Sequence, residues 1–80
     1  MKVQLLAFGI AKDILGARSM PYDLQIGNTI LDLKGALTSE YAGFEALATV
    51  SFAVNTSYVT DDHILQEGDE VVLIPPVSGG

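Results

Sequence analysis

Val71-Val72-Leu73-Ile74-Pro75-Pro76-Val77-Ser78-Gly79-Gly80 joins two opposite kinds of segment. The first four residues are apolar, branched and too few for a helix, which is the pattern of a strand covered on both faces at the centre of a sheet. Pro75 and Pro76 cannot donate to a β-ladder and favour an extended backbone. They stop the strand and send Val77, Ser78, Gly79 and Gly80 off the body as a projecting tail. A second run, Val3–Phe8, is nearly continuous in apolar residues, is also too short for a helix and reads as another central strand covered on both faces. Both candidates for central strands therefore lie at the ends of the sequence.

Between them the pattern is mixed. Gly9 and Gly16 mark Ile10–Ser19 as a loop, after which Met20, Tyr22, Leu24 and Ile26 alternate with Pro21, Asp23 and Gln25 as in a half-buried strand. Pro21 lacks an amide donor, so this strand belongs at a sheet edge or begins at the proline. Gly27 and Asn28 turn the chain, and Thr29 with Asp32 three residues later predicts an N-cap. Ile30, Leu33, Leu37 and Tyr41 then share one helical face, while Asp32, Lys34 and Glu40 point elsewhere. Gly35 weakens such a helix by up to about 1 kcal/mol relative to alanine if it faces solvent, so a close packing contact is expected there. Gly43 is expected to end it.

Glu45–Val50 reads as an irregular connection. Phe52 and Val54 alternate with Ser51 and Ala53 in a strand, Asn55–Ser57 turns, and Tyr58-Val59 is at most a short return strand. Glu67-Gly68-Asp69 is a further tight turn before Val71. This order predicts an α+β fold of the ubiquitin-like β-grasp type: a mixed sheet of four to five strands covered on one face by a helix, occupying residues 1–74, with residues 75–80 as an extended Gly-Gly tail. One helix covers one face only. Phe8 accordingly belongs either to the core or to the face left open.

Composition narrows the function. The chain has 80 residues, 49% hydrophobic and 18% charged, too few for a multidomain enzyme and too apolar for a disordered tail. A domain this small buries only about 60% of the surface its unfolded chain exposes. With few charges to cover the rest, apolar surface stays exposed and calls for a partner. A net charge of −6 repels phosphate backbones, so nucleic acid is not an expected ligand. Asp61, Asp62, Glu67, Asp69 and Glu70 crowd one stretch, which can steer that end toward a basic protein or simply keep a loop solvated.

The absence of cysteine excludes a disulfide framework, a thiolate zinc site, an iron–sulfur cluster and a cysteine nucleophile. The single His63, beside Asp61 and Asp62, reads as a solvated loop residue without catalytic or metal-binding role. Lys2 followed by an apolar run looks superficially like a signal peptide, but Gln4 and Gly9 interrupt it and no stretch approaches the roughly 18 apolar residues of a membrane helix. A soluble, cytoplasmic protein is expected, with no membrane contact. No paired carboxylates or nucleophile–base set can be assembled, so the chain is not expected to be an enzyme on its own.

The tail carries what chemistry there is, since glycines without side chains can thread a narrow channel and present a terminal carboxylate to another protein. Val54-Asn55, Leu65, Glu67-Gly68-Asp69-Glu70-Val71 and, above all, Pro75-Pro76-Val77-Ser78-Gly79-Gly80 resemble the ubiquitin-like sulfur carriers, most closely the branch that serves as the small subunit of molybdopterin synthase. Lys12-Asp13 stands where that family commonly has arginine and glutamate, with both charges kept. The resemblance implies that Gly80 is adenylated and then converted to a thiocarboxylate, a better nucleophile than the carboxylate it replaces. A ubiquitin-activating-type enzyme would adenylate it with ATP, a sulfur donor protein would supply the sulfur, and the carrier itself would bind no cofactor.

It further implies a heterotetramer in which the large synthase subunit receives the tail and holds most catalytic groups, while cyclic pyranopterin monophosphate accepts the sulfur for molybdenum cofactor. By the same resemblance Gly79, Ser78 and Val77 lie in the partner's active site. Phe8, Pro75 and Pro76 would bind the partner. A carrier for thiazole synthesis and a ubiquitin-like protein modifier share the Gly-Gly end and stand as alternatives.

Overall fold

The computed structural model describes residues 1–44 and 50–75. Strand β1 (Lys2–Ala7) is followed by helix α1 (Ile10–Leu15), strand β2 (Ser19–Asp23), helix α2 (Ile30–Glu40) and strands β3 (Ser51–Val54), β4 (Ser57–Val59) and β5 (Glu70–Ile74). The sheet has five strands in the order β2-β1-β5-β3-β4. β1 and β5 run parallel, with Leu5 opposite Val71 and Ala7 opposite Leu73, and the other pairs are antiparallel. This is the expected α+β, β-grasp arrangement, with both end strands inside the sheet. β2 lies at an edge, where Pro21 costs no interior ladder bond.

Two differences from the sequence reading concern the segments on either side of β2. Ile10–Leu15 is helical rather than a loop, because Ala11 and Leu15 share a face and are buried in the core. Its C-cap Gly16 takes the left-handed conformation that glycine tolerates, and its N–H donates to the Lys12 carbonyl at 2.8 Å. β2 stops at Asp23; Leu24 is buried beyond it, whereas Ile26, expected to share the strand's inner face, is 91% exposed. Ile26 sits in a turn closed by the Asn28 N–H donating to the Gln25 carbonyl, and Gly27 at φ +92° breaks the alternation.

Helix α2 starts as its capping pattern predicts. Thr29 N–H donates to Asp32 Oδ2 at 2.9 Å, and Asp32 N–H donates to Thr29 Oγ1 at 3.3 Å, satisfying two groups that the first helical turn leaves without partners. Ile30, Leu33 and Leu37 are buried against the sheet; Tyr41, at the C-cap, is half-buried and packs on the same core. The helix ends at Glu40, ahead of Gly43. Tyr22 Oη donates to Glu40 Oε1 at 2.7 Å and ties the edge strand to the helix end; burial, reinforced by this carboxylate, pushes the phenol's pKa up.

The β3–β4 hairpin turns through Asn55 (φ 49°) and Thr56 (φ 76°), consecutive left-handed residues of the kind that suits a two-residue hairpin loop. Asn55 also ties this hairpin to β5: its Nδ2 donates to Asp69 Oδ1 at 2.9 Å and its Oδ1 accepts from Glu70 N–H at 3.0 Å. Asp69 accepts a further bond from Gln66 N–H at 2.8 Å and is buried. It is therefore a structural carboxylate, not part of a solvated steering face. His63 is half-buried rather than fully solvated, and its carbonyl accepts from Ile30 N–H at 3.0 Å. The irregular connection expected at Glu45–Val50 lies outside the described residues except for Val50, which is buried.

Gly35 has no packing role: it is exposed, and a methyl group built on it meets nothing within 4 Å. Gly35→Ala should stabilise the fold by about 0.5–1 kcal/mol, a rise in Tm of roughly 2–8 °C for a domain of this size. Thermal unfolding followed by circular dichroism measures it; an unchanged or lower Tm contradicts the helix geometry.

Candidate functional site

In a strand, alternate residues face opposite sides of the sheet. Val3, Leu5 and Ala7 of β1 and Val71 and Leu73 of β5 are buried against the helices, which leaves Gln4, Leu6, Val72 and Ile74 on the other side, where each is only half-buried. Both helices contribute their buried residues to a single core. The two central strands are thus covered on one face, not on both as their largely apolar runs suggested. The register lines Leu6 up with Val72, Val72 with Ala53, and Ala53 with Tyr58. Ala53 is buried yet stands apart from the core cluster, and Tyr58 at the hairpin edge is 73% exposed.

Phe8 follows β1 directly. Alternation from Leu6 assigns it to the same open face, and it is 48% exposed, which removes the core alternative. The adjacent Ile10 is 52% exposed. Leu6, Phe8, Val72, Ile74 and Tyr58 thus form an apolar strip across a sheet face that no helix among the described residues covers. Partly exposed apolar strips of this kind are common at protein–protein contacts, which makes this one the candidate docking surface.

The root of the tail lies at one end of that strip. Because β1 and β5 are parallel, Ile74 at the end of β5 comes level with the chain leaving β1. Pro75, half-buried, comes next and sits against Gly9: a methyl group on Gly9 would stand 3.7 Å from Pro75 Cγ. Gly9 holds φ 57° and ψ −133°, a conformation that side chains disfavour, and so turns the chain from β1 into α1 directly beside the proline. The structure brings Phe8 and Pro75, two of the expected partner-binding residues, to the same end of the sheet. Pro76, Val77, Ser78, Gly79 and Gly80 lie outside the described residues.

Leu6, Val72, Ile74 and Tyr58 were not singled out from sequence. The signal was present in Gln4 and Glu70, polar residues at the starts of otherwise apolar strands, opposite each other in register and on the open side. Among the described residues no cluster of three histidine, aspartate or glutamate side chains is placed to hold a metal ion, and no helix is long and apolar enough to cross a membrane.

A family model described as the ThiS family matches residues 5–80. The chain belongs to the ThiS family. A curated relative from Chlamydomonas reinhardtii, the molybdopterin synthase sulfur carrier subunit, is 31% identical over 83 aligned positions covering all of both chains. Among solved structures, a putative molybdopterin converting factor subunit 1 from Pyrococcus furiosus superposes with a TM-score of 0.88 at 28% identity, covering 96% of this chain and 99% of that one. A complex of subunits 1 and 2 of the molybdopterin-converting factor from Helicobacter pylori matches with a TM-score of 0.72 at 28% identity over the whole of both chains.

Because Phe8 is exposed while Leu5 is fully buried, truncating the two should have opposite consequences for stability. Phe8→Ala should change unfolding free energy by less than about 1 kcal/mol, whereas Leu5→Ala should cost roughly 2–5 kcal/mol. Urea titrations of both variants check this. Comparable losses would mean that Phe8 packs in the core.

Proposed function

We propose that this protein is the sulfur carrier subunit of a molybdopterin synthase, acting in the cytoplasm as a substrate of other proteins rather than as an enzyme. The observation that carries the proposal is the adjacency of an uncovered apolar sheet face, ending at Phe8, and the root of a Gly-Gly tail at Pro75. It is supported by the full-length similarity to sulfur carrier subunits. One surface then serves for holding and the tail for delivery.

The chemistry follows from the limits of a carboxylate, which is a poor electrophile. In the proposed sequence a Gly80 carboxylate oxygen attacks the α-phosphorus of ATP on an adenylating enzyme, and pyrophosphate leaves. The sulfur of a donor protein then attacks the acyl carbon and AMP leaves. If that sulfur is the outer one of a persulfide, the product is an acyl disulfide; a second thiol, of the donor or of the adenylating enzyme, attacks its donor-side sulfur, the S–S bond breaks into a new disulfide, and Gly80 leaves as a thiocarboxylate. Sulfur is the better nucleophile and is available without any cysteine in the chain.

The large subunit would bind the strip formed by Leu6, Phe8, Val72 and Tyr58, with Pro75 and Pro76 stiffening the exit from residues 1–74. Val77, Ser78 and Gly79 would fill its channel, the thiocarboxylate sulfur would attack an electrophilic carbon of cyclic pyranopterin monophosphate there, and water would then cleave the acyl C–S bond of the resulting thioester, leaving the sulfur on the pterin and returning the Gly80 carboxylate. Side chains on the last residues would obstruct the channel, which accounts for Gly79-Gly80. The chain has four lysine and arginine residues in all, and the cations that hold the anionic pterin belong mainly to the large subunit. The carrier needs no cofactor of its own.

Two measurements test this function. Deleting Gly80 should abolish sulfur transfer to the pterin precursor in a reconstituted assay while leaving the Tm unchanged, because the tail lies beyond the last strand; residual transfer by the truncated carrier would sink the proposal. Phe8→Ala should weaken binding to the large subunit by about 30-fold, corresponding to about 2 kcal/mol for an aromatic anchor at an interface. Unaltered affinity by calorimetry would move the docking surface elsewhere.

A further inference from the structure

The two edges of the sheet differ in what they offer a further strand. β4 has three residues, too few to template one. β2 has five, and its ladder to β1 shows which of its backbone groups point outward. Met1 and Leu24 exchange two hydrogen bonds, at 2.7 and 2.8 Å, and Ala7 N–H donates to the Arg18 carbonyl at 2.8 Å. Bonded and unbonded positions alternate along an antiparallel pair, so in the register that sets Gln4 opposite Pro21, Met20 and Tyr22 turn their N–H and C=O groups toward β1. Ser19, Pro21 and Asp23 turn theirs to the open edge. Among the described residues no backbone hydrogen bond reaches these outward positions from elsewhere in the chain.

This edge suits a second copy of itself. An antiparallel pairing about a two-fold axis at residue 21 brings Ser19 opposite Asp23 of the second copy, Met20 opposite Tyr22, and residue 21 opposite itself. No like charges meet: Asp23 is the one charged side chain of β2, and it faces a serine. Met20 and Tyr22, both half-buried on the helix side, make an apolar–aromatic pair. Tyr22 Oη is held by Glu40 Oε1 at 2.7 Å, and Tyr41 Oη lies 3.9 Å from Met20 Sδ, so the edge is already ordered and pairing costs little further entropy.

The one position that spoils the match is its centre. Pro21 brings no N–H, so the two hydrogen bonds that a bonded pair exchanges are both missing there, two carbonyls stand without donors, and two rings occupy the space where donors belong. Shifting the register by two residues engages fewer positions and still sets a proline in the ladder.

We infer that Pro21 keeps the free chain monomeric by blocking the pairing of its β2 edge with the same edge of a second copy. The inference depends on the sheet alone and stands whether or not the chain carries sulfur. A row of unpaired N–H and C=O groups is a template for any extended chain, and a proline facing outward at its middle removes the template with no loss to the ladder behind it.

The test is sedimentation equilibrium of the full chain in about 0.15 M salt, where repulsion between chains of net charge −6 is screened beyond roughly 8 Å. The wild-type chain should keep the 8.5 kDa mass of a monomer up to about 1 mM. Pro21→Thr restores the N–H with a residue that strands favour; its mean mass should rise toward twice that value, with a dimer dissociation constant below about 0.1 mM, at least 10-fold tighter than the wild type's. Ser19→Asp added to Pro21→Thr sets carboxylates opposite each other at both ends of the ladder and should restore the monomer, whereas Ser19→Lys, opposite Asp23, should tighten association.

A wild-type chain that dimerises overturns the inference, as does a Pro21→Thr chain that stays monomeric over the same concentrations. Association of Pro21→Thr that Ser19→Asp leaves unchanged puts the contact on another surface and overturns it too. If Pro21→Thr proves unfolded by circular dichroism, Pro21→Ala, which restores the same N–H with a methyl side chain, takes its place with the same expectation.

Discussion

The parallel pairing of β1 with β5 is the constraint on which the rest of the molecule depends. It joins segments from opposite ends of the described chain through four register pairs, Gln4–Glu70 to Ala7–Leu73, and buries Leu5, Val71 and Leu73 completely. Parallel strands need a long crossover, and here that crossover is nearly the whole domain, with both helices packed on one face of the pair. The same pairing has a second consequence: it sets the last strand residue level with the β1–α1 turn, so that Phe8, Gly9 and Pro75 meet at one end of the sheet.

That geometry divides the molecule by task. The helix-facing side, with Ile30, Leu33, Leu37 and Phe52, holds the fold together; the opposite side, with Leu6, Val72 and Tyr58, contributes little to it. A small domain able to cover only one face of its sheet has apolar area left over. A carrier can use that area. In the proposed function, reactivity would belong to the C-terminal glycines and recognition to the sheet, which would leave the last residues free to be as small as a channel requires.

Local rules carried much of the fold. The Thr29–Asp32 cap, the turn at Asn55 and the proline on an edge strand are each fixed by chemistry within a few residues, and each was legible before the structure. What escaped depended on tertiary contacts. Ile10–Leu15 is too short for its own propensity to decide, and it is helical because Ala11 and Leu15 find the core. The largely apolar runs of β1 and β5 concealed the open face, since an apolar residue that would meet a partner protein looks in sequence like one already buried. Asp69 was misread for a related reason: its buried role depends on Asn55, a residue brought to it by the hairpin rather than by sequence proximity.

The central claim is chemical and concerns a single atom. It is tested most directly by the intact mass of the protein purified from cells that make molybdenum cofactor, with fragmentation of the C-terminal peptide. The account predicts a population in which one Gly80 oxygen is replaced by sulfur, with the change confined to that residue. An unmodified carboxylate after incubation with ATP, the adenylating enzyme and a sulfur donor would contradict it.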